Sequence, residues 1–211
     1  MKRLAALTLA ALVLTGCSAP AAEPAVPKIT VGGVPDSQTS LTPDEILPAR
    51  KAAGIADCPT AMTVPAGHPS DGLPDLTLDC LGGDTTVNLA ALPTGKPYVI
   101  NLWAQWCGPC MTEAPYFGEV WKQARGKVEF LGINYQDPAP GKAIDFARHY
   151  GLTYPELHDP KTTSKVPLRI GGIPQTLFVD AQGHVVHREA NTYTSADMLR
   201  GQIKQHLGVD L

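Results

Sequence analysis

Charge is scarce in this 211-residue chain: 18% of its residues are Asp, Glu, Lys or Arg, and they balance to −3. Nucleic acid selects for a basic footprint, so that balance argues against it as a partner. Long apolar runs are missing too. Leu4–Leu14 is the one strong run, and it is too short to span a bilayer. Cysteine is limited to five residues, and only Cys107 and Cys110 are closely spaced. A four-cysteine zinc site needs a second close pair, which Cys58 and Cys80 cannot form. The six histidines are scattered; His184 and His187, three apart on a segment that reads as a strand, point to opposite faces. No metal set and no cofactor site is therefore expected. No internal repeat is present. What remains, with 44% hydrophobic residues, is a globular chain with enough apolar content for a real core and room for one ordinary domain plus an extension.

The extension is at the N-terminus. Lys2 and Arg3 precede the apolar run, the pattern of a secretory signal. The run ends in Leu14-Thr15-Gly16-Cys17, which resembles the bacterial lipobox and implies cleavage after residue 16 and lipidation of Cys17. An ordinary signal peptide with an incidental cysteine is the alternative. Removing Lys2 and Arg3 takes the formal charge from −3 to −5, so membrane attachment would rest on lipid and not on a basic patch. Residues 17–56 are rich in proline and alanine, with Pro20, Pro24, Pro27, Pro35, Pro43 and Pro48 opposing regular structure, and read as a membrane tether. A short helix over Asp44–Ala53 is interrupted by Pro48. The folded domain is expected over 57–211.

In that domain strands alternate with helices, which indicates an α/β class. Leu76–Leu81 and Thr85–Leu89 read as strands around Gly82-Gly83. Tyr98–Trp103, mostly apolar, suits a central strand buried on both faces. A helix over Gly108–Arg125 carries Phe117, Val120, Trp121 and Ala124 at helical spacing and ends at Gly126. Val128–Tyr135 is a second core strand, and Lys142–Tyr150 a helix with Ile144, Ala147 and Tyr150 inward, stopped by Gly151. Gln175–Asp180 and His184–Arg188 form a hairpin whose turn uses Gly183 for its positive φ. Ser195 caps a last helix with Leu199, Ile203 and Leu207 on one face.

The chemistry lies in Trp106-Cys107-Gly108-Pro109-Cys110. At a helix start, unsatisfied N–H groups and the positive end of the macrodipole stabilise a thiolate on the first cysteine. The second cysteine, three residues on, lies nearly one turn later at a bridging distance. Cys107 is thus expected to be the exposed nucleophile and Cys110 the shielded resolving thiol. Pro109 fits early in the helix, where no N–H is required. Residues 101–110, Asn-Leu-Trp-Ala-Gln-Trp-Cys-Gly-Pro-Cys, resemble the active-site strand and turn of thioredoxins, and the likeness extends over about residues 70–211.

That resemblance implies a thioredoxin fold: a central mixed β-sheet flanked by helices, with an N-terminal β-hairpin extension and an inserted helix-strand segment. It also implies a cis Ile173–Pro174 bond in Gly171-Gly172-Ile173-Pro174-Gln175-Thr176, with Ile173 offering its backbone to a substrate strand and Pro174 keeping metal off the thiols. Trp106 and Pro109 would share the substrate surface, while Trp103 reads as packing alone. From Cys110 to Pro174 there are 64 residues, more than a minimal thioredoxin needs. The surplus falls at Asp137–Asp159, with a short Thr153-Tyr154-Pro155 stretch after its helix. This insert, the exported lipoprotein signature and Cys-Met-Thr-Glu-Ala-Pro at 110–115 resemble the TlpA/ResA family of extracytoplasmic reductants, several of which reduce apocytochrome c during cytochrome c maturation. The family's active-site glutamate maps to Glu113. The buried aspartate of thioredoxin maps to Asn101, which cannot titrate, so Glu113 is the candidate to exchange protons with Cys110; a solvated first-turn glutamate is the alternative.

With Cys17 lipidated and Cys107 and Cys110 reactive, Cys58 and Cys80 remain as an even pair, expected as a structural disulfide, with a second redox relay as the alternative. The implied function is an extracytoplasmic, membrane-anchored thiol–disulfide oxidoreductase that reduces protein disulfides, apocytochrome c among them, and is itself re-reduced by a membrane electron donor. A disulfide-forming oxidase or isomerase, and a binding or assembly scaffold with incidental redox activity, are the competing readings. Copper-delivering relatives use a wider cysteine spacing, and no Pro-x-x-x-Thr-x-x-Cys peroxidatic motif is present.

Overall fold

The computed structural model describes residues 41–211 apart from residue 125. The expected signal segment, Cys17 and most of the tether lie outside the described residues. Seven strands form one mixed sheet: β1 (Thr77–Cys80), β2 (Thr86–Asn88), β3 (Tyr98–Trp103), β4 (Glu129–Tyr135), β5 (Glu156–Asp159), β6 (Gln175–Val179) and β7 (Val185–Glu189). Four helices accompany them: α1 (Pro43–Ala52), α2 (Gly108–Ala124), α3 (Pro140–Tyr150) and α4 (Ala196–Leu207). The strand order is β2-β1-β5-β4-β3-β6-β7. β3, β4 and β5 run parallel; on one side β6 pairs antiparallel with β3 and β7 with β6, and on the other β1 pairs antiparallel with β5 and β2 with β1. Among the described residues no helix is long and apolar enough to cross a membrane.

The centre of the sheet follows from its composition. All six residues of β3 are buried, and period-two alternation divides them between two cores. Val99 and Trp103 join Phe130 and Phe178 beneath residues from all four helices, such as Phe117, Phe146 and Leu199. Ile100 and Leu102 join Leu131, Ile133 and Leu177 on the reverse face, covered by the N-terminal hairpin and loop residues Leu73, Leu92, Leu168 and Ile170. Two successive parallel crossovers, β3-α2-β4 and β4-α3-β5, step the same way across the sheet. Right-handed connections then put both helices on one face. The helices therefore cover one side of the sheet rather than both.

Local signals set most boundaries. Ser195 accepts the Met198 N–H at 3.2 Å as the α4 cap, and Gly151 ends α3 at φ 71°. Helix α3 starts at Pro140, earlier than expected, because proline at the first turn is already set for helical φ and has no N–H to satisfy. The strand of the insert comes later than Thr153–Pro155: Pro155 cannot donate to a ladder, and β5 begins after it.

The folded part begins earlier than the expected boundary at residue 57. Residues 43–52 are part of the folded domain as α1, despite Pro48 within the helix. Glu45 Oε2 accepts the Thr42 N–H at 2.8 Å, closing the first turn. Tertiary contact then outweighs the proline. Ile46 is buried, and Arg50 is wholly buried. Its Nη1 and Nη2 reach the two Asp84 carboxylate oxygens at 3.1 and 3.0 Å, and Nη2 reaches Asp57 at 2.6 Å. Arg50 Nη1 also lies 2.7 Å from Cys80 Sγ, so α1 is clamped to the disulfide between Cys58 and Cys80, whose Cα atoms are 6.0 Å apart.

Candidate active site

β3 delivers the chain to a tight turn, in which the Cys107 N–H donates to Ala104 O at 3.1 Å, and α2 starts at the next residue. Cys107 therefore stands at the helix N-terminus, and the Cys110 N–H donates to its sulfur at 3.2 Å. That contact is the thiolate-stabilising geometry expected of the motif. Cys107 and Cys110 are joined here as a disulfide, with Cα atoms 5.2 Å apart. The contrast in exposure is smaller than expected: Cys107 is 4% exposed and Cys110 1%. The first sulfur is reached only through a narrow opening.

The rim of that opening is defined by three features. Trp106, 48% exposed, is held by a hydrogen bond from its indole Nε1 to Gln136 O at 3.1 Å. Ile173 presents its carbonyl oxygen 3.8 Å from Cys107 Sγ, and the Ile173–Pro174 bond is cis. Buried Asp137 holds the approach loop, accepting the Gln105 N–H at 3.2 Å and Asn134 Nδ2 at 3.1 Å. Nothing in the sequence singled out Asp137, because its partners are assembled from two neighbouring strand ends.

Beneath the cysteines, Glu113 is not solvated. It is 1% exposed, one turn along α2 from Cys110 and on the inward face. Its Oε1 accepts Asn101 Nδ2 at 2.9 Å and its Oε2 accepts the Tyr193 N–H at 3.2 Å. Burial pushes its pKa up to about 7, against the pull of those two hydrogen bonds. Asn101, between Gly132 on β4 and Thr176 on β6, thus supports a titrating group without titrating itself.

A second buried carboxyl was missed by sequence reasoning. Glu156 on β5 has no exposure, and its Oε2 accepts Trp103 Nε1 at 2.9 Å. Burial raises its pKa well above the ordinary carboxyl value, against the pull of the Trp103 hydrogen bond. Its carboxyl occupies the space a Cβ on Gly132 would need, so only glycine fits there. Trp103, expected to pack only, does stack on Phe146 with centroids 4.6 Å apart, and it carries this hydrogen bond as well. The histidines do not gather into a site: His184 pairs with Asp71 at 2.6 Å, while His187 stacks on His206 with centroids 3.8 Å apart.

A dithiol–disulfide pair at a helix N-terminus, facing a cis-proline loop on a thioredoxin-like sheet, defines a thiol–disulfide oxidoreductase. Comparison with known proteins agrees. The Redoxin family profile matches residues 68–199, and the chain belongs to that family. It is 31% identical over 137 residues to the thiol:disulfide interchange protein HelX of Rhodobacter capsulatus, covering 64% of this chain and 74% of HelX. It is 35% identical over 115 residues to the thiol-disulfide oxidoreductase ResA of Geobacillus thermodenitrificans, covering 54% and 62% of the two chains. Among solved structures, a secreted Mycobacterium tuberculosis disulfide oxidoreductase homologous to E. coli DsbE superimposes with a TM-score of 0.55 at 26% identity, covering 62% of this chain and 96% of that one.

Proposed function

We propose that this protein is an extracytoplasmic electron donor that reduces disulfides in exported polypeptides. The observation that carries thiol–disulfide exchange at this site is the Cys110 N–H directed at Cys107 Sγ from the first turn of α2, 3.2 Å away; the direction of electron flow rests on the Gly-Pro pair and the TlpA/ResA resemblance. In the reduced protein the Cys107 thiolate attacks one sulfur of the substrate disulfide. The other substrate sulfur leaves as a thiolate and takes up a proton. Cys110, deprotonated, then attacks Cys107 Sγ and releases the second substrate thiol. The substrate gains two electrons, and the Cys107–Cys110 disulfide found here is the product state.

Glu113 is the group that exchanges the Cys110 proton through the protein interior. It is buried on the same helix, and its pKa of about 7 permits both directions near neutral pH. Trp106, Pro109, Ile173 and Pro174 form the substrate surface, with the Ile173 backbone available to an extended substrate segment. The Gly-Pro pair between the cysteines is the thioredoxin one and supports reduction over oxidation. The TlpA/ResA resemblance supports apocytochrome c as substrate, a membrane electron donor for re-reduction, and anchoring through lipidated Cys17. The secreted M. tuberculosis relative supports a place outside the cytoplasm. Cys58–Cys80 is structural: it joins the start of the domain to β1, and Arg50 covers its inner sulfur.

The test is the reduction potential of Cys107–Cys110 in thiol buffers, with mass spectrometry confirming that Cys58–Cys80 stays bonded. A value at or below about −250 mV supports the reductant, and one near about −120 mV overturns it in favour of an oxidase.

A further inference from the structure

Beside the reactive cysteines lies a cleft of about 390 Å³ whose walls include Ile173, Pro174, Arg169 and Arg188. It adjoins the site already described, because Ile173, whose carbonyl faces Cys107, is one of its lining residues. Its charge departs from that of the chain. The protein is acidic as a whole, yet two arginines line this cleft against one carboxylate, Glu189; both arginines also line the neighbouring cleft, where Asp71 is held by His184 and Asp75 by Asn88. Glu189 is already engaged: Oε1 accepts the Ala190 N–H and Asn191 N–H at 3.0 Å each and Asn191 Nδ2 at 2.8 Å, and Oε2 lies 3.7 Å from His187.

The arginines are differently supported. Arg188 Nη1 donates to Leu168 O at 2.8 Å, which fixes the guanidinium at the cleft wall. Arg169 is exposed and has no side-chain partner among the described residues. Its backbone takes φ 52°, a conformation unfavourable for a non-glycine residue, while its N–H is held by Val166 O at 3.0 Å. Burial, and second the like charge of Arg169, lower the pKa of Arg188 from its ordinary value. Two like charges kept together beside a reactive sulfur are poised for an anion, and guanidinium forks suit a carboxylate.

We infer that the Arg169–Arg188 cleft is a specificity subsite that receives an acidic side chain of the substrate polypeptide, one or two residues from the attacked cysteine. This rests on the reductant reading above. The reach follows from chain geometry. A substrate segment extended along Ile173 advances about 3.3 Å per residue, so a neighbour of the cysteine bound at Cys107 falls over the adjoining cleft. Charge pairing at a partly open site acts on encounter and affinity more than on the chemical step.

The experiment uses two disulfide peptides, capped at both ends, that differ only by Glu or Gln beside one cysteine. Reduction by the full chain, with dithiothreitol as the electron source and the uncatalysed rate subtracted, is followed at low and high salt. We expect kcat/KM about tenfold higher for the Glu peptide at low salt, with the gain in KM, shrinking at about 0.5 M salt as screening lengths contract to a few ångströms. Arg169→Gln, whose lost side chain holds nothing in the fold, brings the ratio towards one. Arg169→Glu turns the preference to a Lys peptide. Equal kcat/KM for the Glu and Gln peptides, or an Arg169→Gln variant that slows both alike, overturns the subsite. Binding of the same peptides with serine in place of cysteine, read by fluorescence anisotropy, follows the cleft without redox chemistry. Reduction of hydroxyethyl disulfide by the wild-type chain tests the reductant reading separately, so each can fail alone.

Discussion

Replacing Glu113 by glutamine should change how stability depends on pH, and the size of the change follows from its burial. A carboxyl with pKa 4.5 in the unfolded chain and about 7 in the fold binds more protons when folded throughout that window. Stability therefore falls as pH rises from 4.5 to 7 and levels off above it. Taking about 1.4 kcal/mol per pKa unit, this one group removes about 2.5 kcal/mol between pH 5 and pH 8. Glutamine keeps one accepting oxygen for the Tyr193 N–H, and its NH2 is satisfied when the Asn101 amide, which donates to Glu113 in the wild type, flips to present Oδ1. Glu113→Gln should then run parallel to the wild type below about pH 4 and gain about 2.5 kcal/mol on it between pH 5 and pH 8. Urea unfolding of the oxidised protein at four pH values measures this with both disulfides intact. Other groups shift as well: the Asp71 hydrogen bond raises His184, and burial lowers His206 and raises Glu156. They are common to both proteins and cancel in the difference. Stability curves that stay parallel between about pH 5 and pH 8 would refute the claim that Glu113 is held close to neutrality by burial.

Two further outcomes follow from the clamp at the start of the domain. Replacing Cys58 and Cys80 together by alanine opens a crosslink of sequence separation 22 and should cost about 3 kcal/mol in the chain-entropy description, read as a lower urea midpoint while the Cys107–Cys110 potential stays in place. Replacing Arg50 by methionine leaves Asp84 without its two-pronged partner and should cost about 3 kcal/mol; an Arg50→Met protein as stable as the wild type would show that α1 docks through Ile46 alone.

Legibility in the sequence followed the range of the interactions. Strand β3, helix α2 and the β6–β7 hairpin were readable because alternation, helical spacing and Gly183 act within a few residues. The cysteine pair was readable for the same reason, since its chemistry depends on one helix turn. Glu113 was placed by resemblance, and its sequence alone equally allowed a solvated glutamate. Glu156 went unnoticed because the strand carrying it begins only after Pro155, and its partner Trp103 comes from β3.

The sequence by itself determined the reactive unit: two cysteines at a helix start, a central apolar strand to present them, and turn glycines where the chain reverses. Only the tertiary structure decided the state of the groups around that unit. Glu113 meets a donor from Asn101, twelve residues back, and another from Tyr193, eighty residues on. Arg50 finds Asp84 and pulls an expected tether into the domain. Ile173 reaches Cys107 across 66 residues of chain and brings Arg169 and Arg188 to the edge of the site. Backbone preference and periodicity act locally, whereas burial, and with it the charge a carboxyl or guanidinium carries, exists only once distant segments have packed.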